Sequence, residues 1–199
     1  MTSQSNNDRI GSSASEFDLL APVNDIRVRR ARRTELAPLS QVARRTIPGA
    51  AVGLAKLAGL CKREPDTVFS FLRGAELIGG VAFLHLNCHG FDALILDEID
   101  LHDPDPRFLA SPGERPEAIY LWAISGAGRS ALGHIRLRFS QPRYKAVDLY
   151  TRPVTAAGER LFAGLGFQPV PSWRPGLWAY QRTVNRAVGL GPAEFLRAA

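Results

Sequence analysis

The chain has 199 residues, a net charge of +6 at pH 7, and a composition that is 45% hydrophobic and 22% charged. These values are typical of one soluble globular domain, and no apolar run reaches the ~18 residues that a membrane-spanning helix needs. Two cysteines, Cys61 and Cys88, exclude a disulfide framework and a four-cysteine metal site. The N-terminus lacks the order of charged and apolar segments of a secretory signal, so we expect a cytoplasmic protein with no membrane partner.

The basic net charge raises the question of nucleic-acid binding, because Arg27–Arg33 reads RVRRARR. Ile26, Val28 and Ala31 alternate with these arginines as in a half-buried strand with one wet face. No aromatic residue stands among them to stack on bases. We therefore expect no nucleic-acid partner, although a basic surface can attract an anionic cofactor or an acidic substrate.

The chain divides into a central domain with a tail at each end. Residues 1–24 are polar and poor in core-forming side chains, so we expect them to be disordered. Residues 25–184 carry the regular apolar patterns of one folded domain. Residues 185–199 are expected to form a tail or a short helix.

Hydrophobic periodicity predicts a strand, two helices and a hairpin in the first half of the domain. Thr34 is a good N-cap for the first helix. Residues 91–96 fit either an extra strand or a helical turn, and the many prolines of residues 102–116 predict a long surface loop. In chain order the first elements are a strand at 26–31, a helix after Thr34, a helix at 51–60, and hairpin strands at 68–72 and 77–86.

The second half of the domain begins with the most informative pattern, a strand followed by a glycine-rich loop and a helix. Residues 119–124 are apolar on both faces, which predicts a central strand covered on both sides. In the loop at 125–128, glycines free the backbone, and the first amides of the next helix lack intrahelical partners, so the arrangement can bind an anion such as a pyrophosphate. The later elements are a helix at 130–139, a strand at 147–150, a helix at 156–163, and strands at 167–170 and 177–183.

Three stretches carry a resemblance to a known family. They read IRVRRARRTELAPL (26–39), FSFLRGAELIGGVAFLHL (69–86) and AAGERLFAGLGF (156–167). In this order and spacing the chain resembles the GNAT superfamily of acetyl-CoA-dependent N-acyltransferases. The resemblance implies an α/β fold with a mixed, largely antiparallel sheet, a central splayed pair of parallel strands (119–124 and 146–150), and helices on both faces. It also implies that acetyl-CoA or another acyl-CoA binds as co-substrate in the splay.

The family's pyrophosphate loop, usually Q/R-x-x-G-x-G/A, is altered here. Placing the last position on Gly133 puts Gly128 where Arg or Gln is usual and Ala131 where the middle Gly is usual. A second register keeps Arg129 as the arginine but puts Leu132 and His134 on the glycine positions. The resemblance implies that the cofactor is bound by Ala123, Ile124, Ser125, Gly126, Ala127, Gly128, Arg129, Ser130, Ala131 and Gly133.

The catalytic residues implied by the resemblance are also incomplete. Phe162 occupies the position of the family's usual tyrosine acid and cannot donate a proton, so Tyr150 is the predicted substitute. Glu117, just before the central strand, is the predicted general base that deprotonates the amine. The acidic set Asp97, Glu98 and Asp100 is the alternative source of a base or of a binding site for a cationic amine.

The sequence supports two alternative functions. The first is transfer of an acyl group, acetyl by default, from coenzyme A to the amine of a small molecule or peptide. The second is a catalytically inactive GNAT-fold module that binds CoA or another ligand. We predict no metal site, because His85 and His89 flank Cys88 but no second ligand pair follows. The resemblance further implies a homodimer, and an acceptor cleft bordered by Trp173, Trp178 and Tyr180.

Overall fold

The structure is a computed structural model that describes residues 26–47, 52–126 and 128–182. The two predicted tails lie outside the described residues. The sheet has seven strands in the order β1-β2-β3-β4-β5-β7-β6. Its strands are β1 Ile26–Arg30, β2 Val68–Arg73, β3 Glu76–Leu86, β4 Ala118–Ser125, β5 Asp148–Thr151, β6 Gln168–Pro169 and β7 Trp178–Tyr180.

All neighbouring strands run antiparallel except β4 and β5, which are parallel. The mixed, largely antiparallel sheet with one central parallel pair is therefore confirmed. The helices that cover it are α1 Leu36–Thr46, α2 Leu54–Arg63, α3 Cys88–Leu96, α4 Gly128–Arg138 and α5 Ala156–Gly164.

The alternation of side chains along β3 and β4 divides the core between two faces. Phe83 and Leu121 pack on the face covered by α4 and α5, with Phe139 and Phe162 in the same cluster. Leu84, Tyr120 and their neighbours pack on the opposite face, against α2 and α3. Helices on both faces are thus confirmed, and a cavity lies on the face toward α1 and α2.

The ambiguous segment after β3 is a helix rather than a strand. The side chain of Asn87 accepts a hydrogen bond from the N–H of Gly90 at 2.8 Å and caps α3. The helix ends at Asp97, whose φ of 61° lies in the left-handed region. At this helix end the carboxylate of Asp97 contacts Arg152, the first residue after β5.

One helix and two strands differ in extent from their predicted ranges. Helix α2 begins at Leu54 instead of residue 51 and continues to Arg63, because Gly53 is its N-cap and Pro65 stops it after Glu64. Strands β6 and β7 are shorter than predicted and cover only Gln168–Pro169 and Trp178–Tyr180. In the described residues, no helix combines the length and apolar character needed to cross a membrane.

Candidate functional site

The parallel strands β4 and β5 pair over four residues and then separate. Their register runs from Ala118 opposite Asp148 to Leu121 opposite Thr151. At the point of separation the Thr151 hydroxyl donates a hydrogen bond to the carbonyl oxygen of Leu121 at 3.1 Å. Beyond it β4 continues to Ser125 paired only with β3. We call this opening the fork; the predicted splay is present.

A β-bulge bends β4 where the fork opens. The β3 residues Ala82 and Phe83 pair with Ala123 and Leu121, so Trp122 is the extra residue. A bulge of this kind bends and twists the strand that carries it. The indole N–H of Trp122 donates to the carbonyl oxygen of Leu101 at 2.9 Å, which holds the bulged residue against the loop after α3.

The glycine-rich loop after β4 has a packing requirement of its own. Gly126 has φ +84°, and a Cβ there would lie 2.3 Å from the carbonyl oxygen of Ile78. On the facing strand, a Cβ at Gly79 would lie 2.3 Å from the carbonyl oxygen of Ser125. The two backbones are in contact, so Gly126 is needed for the approach of β3 whether or not the loop binds a ligand.

The remaining loop positions fall at the start of α4. Helix α4 begins at Gly128, shortly after β4 ends at Ser125. The N–H groups of its first turn have no intrahelical partners, and they lie close to the end of the strand that lines the fork. Ala127 lies outside the described residues, as do the side chains of Arg129 and Ser130. Ala131 is fully buried in the core, and Gly133 is exposed in the second turn, where a Cβ would meet no atom within 4 Å.

A cavity of about 300 Å³ lies at the fork on the face toward α1 and α2. One wall is the free part of β4, and the opposite wall is the chain that leaves β5. The predicted cofactor residues Ala123, Ile124 and Ser125 all line it. Its other lining residues include apolar side chains of the helices and a polar group formed by His102, Tyr120, Trp122, Arg152 and Arg174.

Tyr120 places a hydroxyl at this cavity. Burial raises the pKa of Tyr120 to about 12, although the positive charge and the nearby backbone N–H of Arg152, and the charge of Arg174, oppose the rise. The phenol is therefore protonated at neutral pH. No described residue accepts a hydrogen bond from this hydroxyl, so its proton is available to a ligand in the cavity.

Arg152 is held rigidly beside Tyr120. Its side chain is only 10% exposed; Nη1 donates to Asp97 and Nη2 to the carbonyl oxygen of Leu94 at 3.3 Å. Its Nε is buried and has no partner among the described residues. Arg174, at the outer side of the cavity, lies 3.9 Å from the other oxygen of the same Asp97 carboxylate.

The two predicted catalytic residues lie away from the cavity. Glu117 is exposed at the start of β4, and Trp122 follows about 15 Å further along the strand. Tyr150 is buried against the ring of Phe91, with 5.1 Å between centroids. Burial raises the pKa of Tyr150 well above its usual value, and the charges of Asp148 and Glu117 add to the rise. The structure brings Glu117 and Tyr150 near each other but not to the cavity.

The other sequence candidates also have structural surroundings that differ from the expected ones. Asp97 forms salt bridges with Arg152 and Arg174. Asp100 lies on the surface, with its Oδ1 3.4 Å from the Nδ1 of His102. Trp178 and Tyr180 pack on the core at the face of α4 and α5, and Trp173 is 76% exposed. No group of three or more metal-ligating side chains occurs in the part of the chain that the structure describes.

Sequence reasoning missed Tyr120, Arg152, Arg174 and His102 as residues of the cavity. One general rule points to Arg152: ligands of α/β sheets bind beyond the carboxyl ends of parallel strands, and Arg152 directly follows β5. Tyr120 needed the β4–β5 register, which places it opposite the predicted Tyr150. Arg174 and His102 belong to loops whose positions depend on tertiary packing.

Comparison with solved structures identifies the fold. The GphF GNAT-like decarboxylase in complex with isobutyryl-CoA matches with a TM-score of 0.51 and 14% identity, covering 78% of this chain and 98% of that chain. The loading GNATL domain of CurA from Lyngbya majuscula matches with a TM-score of 0.55 and 11% identity, covering 78% and 97%. The aminoglycoside N-acetyltransferase AAC(6')-Ib11 matches with a TM-score of 0.47 and 14% identity, covering 80% and 98%.

No protein-family model and no curated protein matches the sequence. The first two structures share the arrangement described above over nearly their whole length. The protein therefore has the GNAT fold, as the sequence resemblance implied. The first of these neighbours is in complex with isobutyryl-CoA.

Proposed function

We propose that the protein is an acyl-CoA-dependent acyltransferase that transfers an acyl group directly to an amine of a small molecule or peptide. The observation that carries this proposal is the fork, with unpaired helix amides at its outer end and the cavity beside it. The free edge of β4 suits the amide groups of a pantetheine arm, which would add to the sheet like a further strand. The first-turn amides of α4 would bind the pyrophosphate.

This placement brings the thioester to the bulge at Trp122 and the acyl group into the cavity. The GphF neighbour is in complex with isobutyryl-CoA, which supports an acyl-CoA ligand for the fold. We propose Ala123, Ile124 and Ser125 as the strand that meets the pantetheine, and Gly126–Ser130 as the loop and helix start that meet the phosphates.

In the proposed reaction, the amine attacks the thioester carbonyl, the C–S bond breaks, and the sulfur leaves as the thiolate of coenzyme A. The pKa of Tyr120, about 12, lies roughly 3 to 4 units above that of a thiol, so full proton transfer to the thiolate costs about 5 kcal/mol. Tyr120 is therefore proposed to stabilise the thiolate or the carbonyl oxygen by donating a hydrogen bond. This role does not require a tyrosine at Phe162.

His102 is the proposed base that accepts the proton of the amine. Its side chain is 63% exposed at the cavity, and Asp100 lies 3.4 Å from its Nδ1, which orients the ring and leaves Nε2 as the acceptor. Glu117, the base predicted from the sequence, lies at the other end of β4 and serves as the comparison variant.

The alternative function is an acyl-CoA-binding module that does not turn over. The replacement of the usual tyrosine by Phe162, which is buried against Phe167 at 5.2 Å between centroids, favours it. Under both alternatives CoA binds at the fork, so binding and turnover must be measured separately.

The decisive experiment combines a CoA titration with a free-thiol release assay over a panel of amines. Binding at 100 times Kd should stabilise the protein by about 2.7 kcal/mol in thermal unfolding. Tyr120→Phe should keep this stabilisation and lower kcat by about 100-fold, since it removes one hydrogen-bond donor at the reacting group.

Tyr150→Phe is the matched control, because it removes a hydroxyl from the neighbouring strand outside the cavity, and it should leave kcat unchanged. Binding without thiol release for any amine would establish the binding module instead. Absence of a CoA-induced shift would overturn both alternatives.

A further inference from the structure

The cavity at the fork carries positive charge and no carboxylate. Its ionisable lining residues, besides Tyr120, are His102, Arg152 and Arg174, and none of its lining residues is Asp or Glu. A protonated amine entering this space would meet like charges without a neutralising partner. An anionic group would meet complementary charge.

The two arginines share a single carboxylate. Arg152 and Arg174 both contact Asp97, through Oδ1 and Oδ2, and no other described residue forms a salt bridge with either of them. Two guanidinium groups and one carboxylate leave an excess of one positive charge beside the cavity. Asp97, one of the acidic residues that the sequence suggested for binding an amine, therefore holds these arginines instead.

Arg152 is positioned before any ligand arrives. Contacts to Asp97 and Leu94 fix its planar guanidinium while its Nε stays unpartnered among the described residues. The Tyr120 hydroxyl, which is protonated and lines the same cavity, adds a second donor next to it. A fixed guanidinium with an adjacent hydroxyl is a suitable receptor for a carboxylate, because both groups donate and neither has to be reorganised.

From these contacts we propose that the cavity at the fork binds a carboxylate of the substrate, held by Arg152 and Arg174 with Tyr120 as a further donor. The proposal rests on the proposed function, because it places this carboxylate next to the thioester of an acyl-CoA. The carboxylate has two chemical sources. It belongs to an acyl group derived from a dicarboxylic acid, or to an acceptor amine that is an amino acid.

The experiment compares matched ligands that differ only by the carboxylate. One arm measures the Kd of malonyl-CoA against acetyl-CoA by isothermal titration. The other arm measures thermal stabilisation of the CoA-saturated protein by glycine against methylamine, and by β-alanine against ethylamine. A preference of tenfold or more for the carboxylate in one arm is expected, and the arm in which it occurs identifies the source.

Two variants test whether Arg152 and Arg174 cause the preference for ligands that carry a carboxylate. Arg174→Gln should lower it about tenfold; this side chain is 68% exposed, so the variant is expected to fold. Arg152→Lys keeps the charge but loses the planar donor set, and should lower the preference as well. Arg73→Gln, an exposed arginine at the end of β2 outside the cavity, controls for the overall charge and should keep the preference.

The outcomes separate this inference from the proposed function. No binding of CoA itself would overturn the proposed function. Binding of CoA with equal affinities in every matched pair, or a carboxylate preference that Arg174→Gln and Arg152→Lys leave intact, would overturn the carboxylate site alone.

Discussion

Two groups of arginines in this protein have opposite surroundings. One, which we call the closed cluster, surrounds Asp66 beneath the face of α4. Asp66 is almost fully buried and accepts hydrogen bonds from Arg30, Arg138 and the Tyr144 hydroxyl at 2.8, 2.8 and 2.9 Å. The other is the pair Arg152 and Arg174 at the cavity, which shares Asp97.

The comparison shows what separates a structural ion pair from a binding site built of the same residue types. In the closed cluster burial opposes ionisation of Asp66, but hydrogen bonds from Arg138 and Arg30 outweigh it and hold the pKa of Asp66 below its usual value. Glu64 adds a second carboxylate there, bound to Arg143 at 2.6 Å. At the cavity, two cations meet one carboxylate beside open space.

The largest expected difference between the two groups is in stability. Asp66→Asn should lower the free energy of unfolding by about 3 kcal/mol or more, because it leaves the largely buried guanidinium of Arg138, and that of the half-exposed Arg30, without their anion. Asp97→Asn should cost less, about 1 to 2 kcal/mol, because this carboxylate is 32% exposed although its partner Arg152 is only 10% exposed. Urea unfolding of both variants measures the difference. Equal losses would mean that Asp97 is as structural as Asp66.

A second test concerns the acid sensitivity of the closed cluster. His85 lies beside it, and neither ring nitrogen has a partner among the described residues. Burial lowers the pKa of His85 from 6.5 to about 4, against the opposing charges of Glu64 and Asp66. The unfolded chain therefore binds a proton between pH 6.5 and pH 4 that the folded chain does not. This contribution to stability is complete above pH 6.5 and is lost as the pH falls toward 4.

We expect the free energy of unfolding to drop by about 2 to 3 kcal/mol between pH 7 and pH 4.5 from this group. His85→Leu should remove that part of the pH dependence, with little cost at pH 7, because an apolar side chain has no polar atom to satisfy. Urea unfolding at both pH values checks it. An unchanged pH slope in His85→Leu would show that the buried carboxylates alone set the acid sensitivity.

The smallest expected effect concerns Gly133, which lies inside helix α4. Gly133→Ala should stabilise the protein by about 0.5 to 1 kcal/mol, since the position is helical and exposed and an added Cβ meets no atom within 4 Å. CoA affinity should not change if the phosphates bind at the first turn of α4. A loss of CoA affinity without a loss of stability would favour the sequence register that ends on Gly133.

The elements of the fold were predictable because their side-chain patterns are local. The apolar run of β4 and the alternation in β1 and β3 place strands within one or two residues of those in the structure. The strands at 167–170 and 177–183 were predicted too long, and the segment 91–96 was left open between a strand and a helical turn. Their limits depend on Asn87 as a cap and on pairing partners that lie elsewhere in the chain.

The site was predictable only in part. The strand segment proposed to bind the cofactor, Ala123 to Ser125, was predicted from its position before a glycine-rich loop, and the structure places it at the cavity. Gly126 was assigned to a ligand, and it has in addition a contact with the backbone of β3. Tyr150 was chosen as a tyrosine near the end of β5, but its side chain points into the packing of Phe91, and Tyr120 on the adjacent strand reaches the cavity.

By itself, the sequence determined an α/β domain with the order of elements of the GNAT fold and a glycine-rich loop after its central strand. Periodicity and glycine placement carry that information within short windows. Only the tertiary structure decided the bulge at Trp122, the four-residue register between β4 and β5, and the meeting of Arg152, Arg174 and Asp97. These residues come from separate parts of the chain, so their distances, and the charge that they leave at the cavity, exist only once the sheet and its helices have packed together.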